Sequence, residues 1–171
     1  MTTNNKIYDK GLEEFPKSSV IVGNLMMLLW FTAGTAACWF FHPLAAWIYV
    51  GVVVIQVYIV LRKLVCTNCY YYDRWCALGW GKLSALLFKK GSIENFRTCV
   101  GIKLAPPTYG LLALVPMVLL VISLVRDYAI EKALVLALMA ALTFFTTFLS
   151  RKKTCSMCRM RLICPGSAAK V

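Results

Sequence analysis

Residues 44–69, LAAWIYVGVVVIQVYIVLRKLVCTNC, join an uninterrupted apolar run to a basic pair and a CxxC motif. The apolar part, residues 44–61, contains no Asp, Glu, Lys or Arg. A helix needs about 20 apolar residues to cross a bilayer and can manage with about 17, because each residue adds about 1.5 Å. The stretch therefore predicts a membrane-spanning helix that carries two thiols at its end.

Three further runs share this character, at residues 20–41, 108–125 and 133–149. The chain of 171 residues is 60% hydrophobic, whereas a soluble domain is about 45–50% apolar. Backbone groups in lipid must form their hydrogen bonds within the segment, which favours helices. The sequence therefore predicts an all-α integral membrane protein with four transmembrane helices.

The basic residues are distributed unevenly about these four spans. Counted along the chain, 17 of the 19 Lys and Arg lie on the side that holds both termini and residues 62–107. Only Arg126 and Lys132 lie on the other side. The positive-inside rule makes the basic side cytoplasmic, so we expect both termini inside. Topology and attraction to anionic lipid account for the net charge of +12, so we predict a lipid bilayer partner and no nucleic acid.

The motif at the end of the second span returns after the fourth, in residues 149–166, LSRKKTCSMCRMRLICPG. The CxxC pairs are 89 residues apart, and the third cysteines are 88 apart. The matched residues are Cys66 and Cys155, Cys69 and Cys158, and Cys76 and Cys164. Because both halves start on the same side, this repeat predicts two duplicated hairpins related by a pseudo-twofold axis along the membrane normal.

The predicted organisation has four segments. The cytoplasmic N-terminal segment is 1–18, the first hairpin with its CxxC-x6-C motif is 19–80, the cytoplasmic interfacial segment is 81–105, and the second hairpin with its CxxC-x5-C tail is 106–171. Prolines are expected to precede the first and third helices, at Pro16 and at Pro106 and Pro107.

The segment around residues 77–91, ALGWGKLSALLFKKG, is rich in leucine and lysine. On a helix, Leu83, Leu86 and Leu87 can share one face while Lys82 and Lys89 point toward water. This pattern is typical of helices that lie in the membrane interface. We therefore predict an interfacial amphipathic helix within residues 78–100.

Seven of the eight cysteines fall on the predicted cytoplasmic side. The cytosol keeps thiols reduced, so structural disulfides are not expected there. Two CxxC pairs can supply the four thiolates of a tetrahedral metal site. The predicted metal ligands are Cys66, Cys69, Cys155 and Cys158 as first choice, and Cys76, Cys164 and Cys99 as second choice.

Basic side chains flank both CxxC motifs. They are Arg62, Lys63, Arg151, Lys152 and Lys153. Positive charge beside a thiol favours the thiolate, so we expect lowered thiol pKa values. The same charges would offset the net negative charge of a metal ion held by four thiolates.

Zinc is the favoured metal, as a structural staple whose binding energy acts as folding energy. The cytoplasmic face that carries the cysteines is also predicted to bind a protein partner, which is either cytoplasmic or in the membrane. The alternative is an iron–sulfur cluster that transfers electrons. Cys164 followed by Pro165 is similar to the end of a ferredoxin motif. The match is imperfect, because five residues separate Cys164 from Cys158 where the ferredoxin motif has three.

Other functions are less favoured by the residues present. Transport of copper or mercury would require thiols or methionines along the path through the membrane. Dithiol redox motifs normally lie at helix N-termini, where the helix dipole favours thiolate, whereas these follow helix C-termini. The chain shows no Ser/His/Asp set, paired carboxylates or phosphate loop, so an enzyme is not favoured, and no feature sets an oligomeric state.

Overall fold

A computed structural model describes residues 7–169 as an all-helical protein. The helices of eight residues or more in this range are α1 (Lys17–Phe41), α2 (Pro43–Asn68), α3 (Trp80–Leu87), α4 (Val100–Arg126) and α5 (Ile130–Ser156). All but α3 are long and apolar enough to cross a membrane, which confirms the predicted four spans. Residues 1–6 and 170–171, parts of the predicted N-terminal segment and tail, lie outside the described residues.

The third membrane helix begins earlier than its prolines predicted. Pro16 does precede α1 as its N-cap, but Pro106 and Pro107 lie inside α4, in its second turn. Membrane helices tolerate proline because side chains and neighbouring groups can bond the carbonyls that proline leaves without a donor. Pro106 and Pro107 remove the i+4 donors of the Ile102 and Lys103 carbonyls, both of which lie in the first turn of α4.

The first helices of the two hairpins, α1 and α4, pack together at the centre of the bundle. α2 packs on α1 and reaches α4 through its turn Leu61–Leu64, while α5 packs on both α1 and α4. Polar side chains link the helices: Trp30 Nε1 donates to Thr143 Oγ1 at 2.9 Å, and Ser123 Oγ donates to the Phe40 carbonyl at 2.8 Å. Such bonds stabilise helix association where lipid offers no competing partner.

The outside of the bundle is apolar along all four long helices. Ile21, Trp47, Leu114 and Phe148 are among its exposed side chains. An apolar surface of this extent is not stable in water and marks contact with another apolar phase. The bundle is therefore that of an integral membrane protein in contact with lipid.

The second helix of each hairpin changes its winding near the same end. α2 is π-helical over Val54–Val60 and α5 over Phe145–Ser150. Each segment is followed by a short α-helical stretch, Leu61–Leu64 or Arg151–Ser156, which brings the chain to a CxxC motif. π-Helical turns are rare and occur frequently at functional sites. This shared irregularity was not predicted from the sequence.

Candidate metal centre

The first CxxC straddles the end of α2. Cys66 lies in the final 3-10 turn, Cys66–Asn68, and Cys69 follows it. Helix ends leave carbonyls without donors, and here two side chains bond them: Thr67 Oγ1 donates to the Lys63 carbonyl at 2.6 Å, and Asn68 Nδ2 donates to the Leu64 carbonyl at 3.1 Å. The sequence CTNC thus ends the helix and fixes the turn between its two cysteines.

The second CxxC straddles the end of α5 in the same way. Cys155 lies in the last turn of the helix and Cys158 just beyond it. The backbone N–H of Cys158 donates to the Cys155 carbonyl at 3.2 Å, and the N–H of Cys69 donates to the Cys66 carbonyl at 3.3 Å. The two motifs therefore share one turn geometry at equivalent ends of the two hairpins.

The segment before α1 ties the two motifs together, a role that sequence reasoning missed. Leu12 forms a β-bridge with Cys158, and its carbonyl accepts a hydrogen bond from the Tyr71 hydroxyl at 2.7 Å. The N–H of Phe15 donates to the Trp75 carbonyl at 2.8 Å, and the Phe15 ring is buried against Tyr71. The sequence signal for this role was a few apolar residues, Ile7, Tyr8, Leu12 and Phe15, among polar ones.

Six cysteines, three from each half, line one cavity of about 210 Å³ at this end of the bundle. They are Cys66, Cys69, Cys76, Cys155, Cys158 and Cys164. Phe15, Tyr71, Trp80 and Phe96 form much of the remaining wall. The structure thus brings the two halves' cysteines to one place. We refer to this space as the cysteine cavity.

The side chains are not arranged as a finished ligand set. Within residues 7–169, no three Cys, His, Asp or Glu side chains lie close enough to hold one metal ion. Cys99 lies apart from the described lining of the cavity. It precedes α4, and its thiol donates to the Phe96 carbonyl at 3.1 Å.

The expectation of lowered thiol pKa values is wrong for the cysteines that follow the two helices. Burial raises the pKa of the Cys158 thiol to about 11 and holds the pKa of the Cys69 thiol well above its ordinary value. Neighbouring cysteines raise both further. Desolvation outweighs the basic flanks, because Lys152 and Lys153 are exposed to water.

The arginine among the described lining residues of the cavity is Arg161. Arg62, one of the cations that flank a CxxC motif, instead bonds to a cavity cysteine, Cys66. Its side chain is only 3% exposed. Nη1 donates to Cys66 Sγ at 3.3 Å, Nε donates to the Val57 carbonyl at 2.8 Å, and the guanidinium carbon lies 3.1 Å from the centroid of the Trp80 ring. The Nε bond reaches five residues back, the interval at which a π-helix pairs its backbone groups.

The fold and the cysteine cavity define the class: a four-helix integral membrane protein whose two hairpins bring their cysteines together at one end. No protein-family model, curated protein or solved structure matches the chain. Function is therefore inferred from the chemistry of the cavity.

Proposed function

We propose that the chain is a membrane metal-binding protein in which zinc, held in the cysteine cavity, joins the two hairpins. The observation that carries this proposal is the single cavity lined by six thiols from both halves of the chain. Cys66, Cys69, Cys155 and Cys158 are the proposed ligands. Cys76 and Cys164 line the same space as further donors, and Cys99 is left out of the set.

The donors fit zinc by their chemistry, because thiolates in CxxC pairs are its usual structural ligands. Binding requires the sulfurs to come closer together than they lie without metal. We expect rotation of the cysteine side chains about χ1, among its three staggered positions, to contribute to this approach. The metal must also displace the thiol protons, which makes its affinity depend on pH.

A zinc ion between α2 and α5 would act as a cross-link of the fold. These helices belong to different hairpins. Their cysteine-bearing ends are otherwise connected through the segment around Leu12, through the hydrogen bond that the Arg159 N–H donates to the Tyr71 hydroxyl, and through an apolar cluster of Phe15, Tyr71, Phe96 and Met160. Binding energy at such a site is folding energy, because the unfolded chain offers no preformed ligand set.

The direct consequence is a zinc-dependent melting temperature. After treatment with a chelator, zinc at a free concentration of 100 times its Kd should stabilise the folded state by about 2.7 kcal/mol. For a chain of this size that is roughly 5–11 °C, measured by circular dichroism in detergent. Magnesium is the control, because it prefers oxygen ligands. Equal melting temperatures with zinc, magnesium and no metal would contradict the proposal.

An iron–sulfur cluster is the second candidate, favoured by the size of the cavity. About 210 Å³ is many times the roughly 10–15 Å³ that a cavity needs, on the same kind of measure, to hold one water molecule, and it exceeds the need of one ion. Aromatic walls from Phe15, Tyr71 and Phe96 would shield a cluster from water and so influence its potential. Such a protein would carry electrons and be brown, whereas zinc thiolate is colourless in visible light.

The orientation that we propose places the cysteine cavity and both termini in the cytoplasm. It rests on the 17 of 19 basic residues that lie on this side of the spans. A protease site inserted after Asp127, in the opposite turn, should be cut from outside intact cells. A matched site at Gly91 should be cut only after the cells are made permeable. The reverse pattern would contradict the orientation.

We also infer that the hairpins are duplicates, which two features of the bundle support. The equivalent helices α1 and α4 pack together at its centre, and α2 and α5 share a π-helical segment before their CxxC motifs. The interfacial position of α3 stays a prediction, favoured by Leu86 and Leu87, which are 82% and 57% exposed. The helix ends at Leu87, so exposed Lys89 follows it and does not lie on its polar face as predicted. A protein partner on this face stays a prediction too.

A further inference from the structure

Arg62 carries a buried positive charge that lacks an ordinary counter-charge. No carboxylate of residues 7–169 pairs with it; their ion pairs are Lys82–Asp73, Lys132–Asp127 and Arg159–Glu13. Its partners are the Cys66 sulfur, a backbone carbonyl, the Tyr109 hydroxyl and the Trp80 ring. Burying a charge is unfavourable unless an opposite charge is near. Cys66 is the partner in this set that becomes an anion when it binds a metal.

Trp80 adds a second donor at the same wall of the cysteine cavity. Its ring lies against the Arg62 guanidinium and lines the cavity. Its indole nitrogen is buried, and within the described part of the chain it has no hydrogen-bond partner. A buried N–H without an acceptor is unfavourable, and indole nitrogen can only donate. Trp80 therefore brings a donor without a partner to the cavity wall, and the Arg62 charge lies directly against two lining residues, Cys66 and Trp80.

We propose that the metal centre is an anion, a divalent ion held by four thiolates with net charge −2. In this proposal Arg62 supplies the compensating positive charge, and the Trp80 N–H is a further hydrogen-bond donor. This inference rests on the proposed function and deepens it. Arg62 donates to the Cys66 sulfur, and Trp80 supplies a further N–H at the same wall. Hydrogen-bond donors that contact the ligands but not the metal tune the basicity of those ligands and the affinity for the metal.

The second half of the chain supplies a matched control. Arg151 precedes Cys155 by four residues, as Arg62 precedes Cys66. It is exposed, however, and its Nη2 donates to the Gly166 carbonyl at 2.6 Å. Of the two arginines that precede a CxxC motif, Arg62 alone is described as bonded to a cavity cysteine, so equal changes at Arg62 and Arg151 should have unequal effects. Arg161 of the second half also lines the cavity, but its Nε donates to the Ala169 carbonyl.

The test uses cobalt(II) as the probe ion, added without oxygen to the full chain in detergent. Arg62→Gln should weaken cobalt binding by about 10–100-fold, whereas Arg151→Gln should leave it unchanged. Trp80→Phe keeps an aromatic ring at the position but loses the indole N–H, and it should weaken binding by about 2–10-fold. In the Arg62 and Trp80 variants the sulfur-to-cobalt charge-transfer band should move to lower energy, because the sulfurs lose a donor.

Different results overturn different claims. If the wild-type chain binds cobalt through sulfur but Arg62→Gln keeps full affinity and band position, Arg62 has only a structural role and the inference is wrong. If Arg62→Gln does not fold, an unshifted band and unchanged affinity in Trp80→Phe overturn it. If the wild-type chain shows no sulfur-to-cobalt band, the proposed function is wrong and the inference with it.

Discussion

Replacing Cys69 and Cys158 together by serine is expected to reduce bound metal to background. Each residue follows one of the two CxxC-bearing helices, and both line the cysteine cavity. Serine keeps the size of the side chain but replaces the soft thiolate with a hydroxyl, which is a poor zinc ligand. Losing one ligand from each half removes the cross-link as well as the affinity.

The measurement is metal content per chain by mass spectrometry, beside circular dichroism to show that the helices persist. Cys38→Ser and Cys99→Ser are the controls. Cys38 is buried within α1 and packs in the membrane core, and Cys99 lies off the described cavity lining. Both should keep the wild-type metal content. Full metal content in the double variant would show that the cavity is not the site.

Gly81→Ala is expected to destabilise the cysteine-bearing end by about 3 kcal/mol, the upper end of the usual cost of overpacking. A Cβ on Gly81 would collide with the backbone carbonyl oxygens of Tyr71 and Arg74. Backbone atoms cannot rotate away as a flexible side chain can, so α3 must separate from the Tyr71 loop. Because Tyr71 lines the cysteine cavity, metal affinity should fall with stability.

Two other glycines give matched controls for this change. Apart from the neighbouring backbone of the same helix, no described atom lies within 4 Å of a Cβ built on Gly51 or Gly110. Both are within helices, where alanine is favoured over glycine by up to about 1 kcal/mol. In detergent, the melting temperature of Gly81→Ala should lie far below that of the wild type. The melting temperatures of Gly51→Ala and Gly110→Ala should equal or exceed that of the wild type. An unchanged melting temperature for Gly81→Ala would show that α3 does not pack closely on this loop.

The spans and the meeting of the two CxxC motifs could be predicted because each follows from local rules. An apolar run of sufficient length fixes a membrane helix wherever it occurs, and two hairpins that start on the same side must end on that side. Cys66 and Cys155 therefore had to lie at one end of the bundle. Their common cavity follows from topology together with the folding of the segments that come after each helix.

What the sequence did not predict depends on contacts between distant residues. The segment around Leu12 and Phe15 reaches both CxxC motifs, and no periodic pattern in so short a stretch indicates its partner. Arg62 and Arg151 have the same local sequence context, yet one is buried and the other exposed. Burial also reversed the expected thiol pKa shifts, because desolvation depends on the whole fold and not on neighbouring charges alone.

The central claim is that the cysteine cavity holds a metal that joins the two hairpins. Metal analysis by mass spectrometry, with a visible absorption spectrum, on full-length protein purified without oxygen tests it most directly. We predict zinc at about one ion per chain, the stoichiometry of a single four-thiolate site, and no visible absorption. Iron with an equivalent amount of acid-labile sulfide would show that the cavity holds an iron–sulfur cluster and not zinc. Protein with no bound metal would contradict the claim.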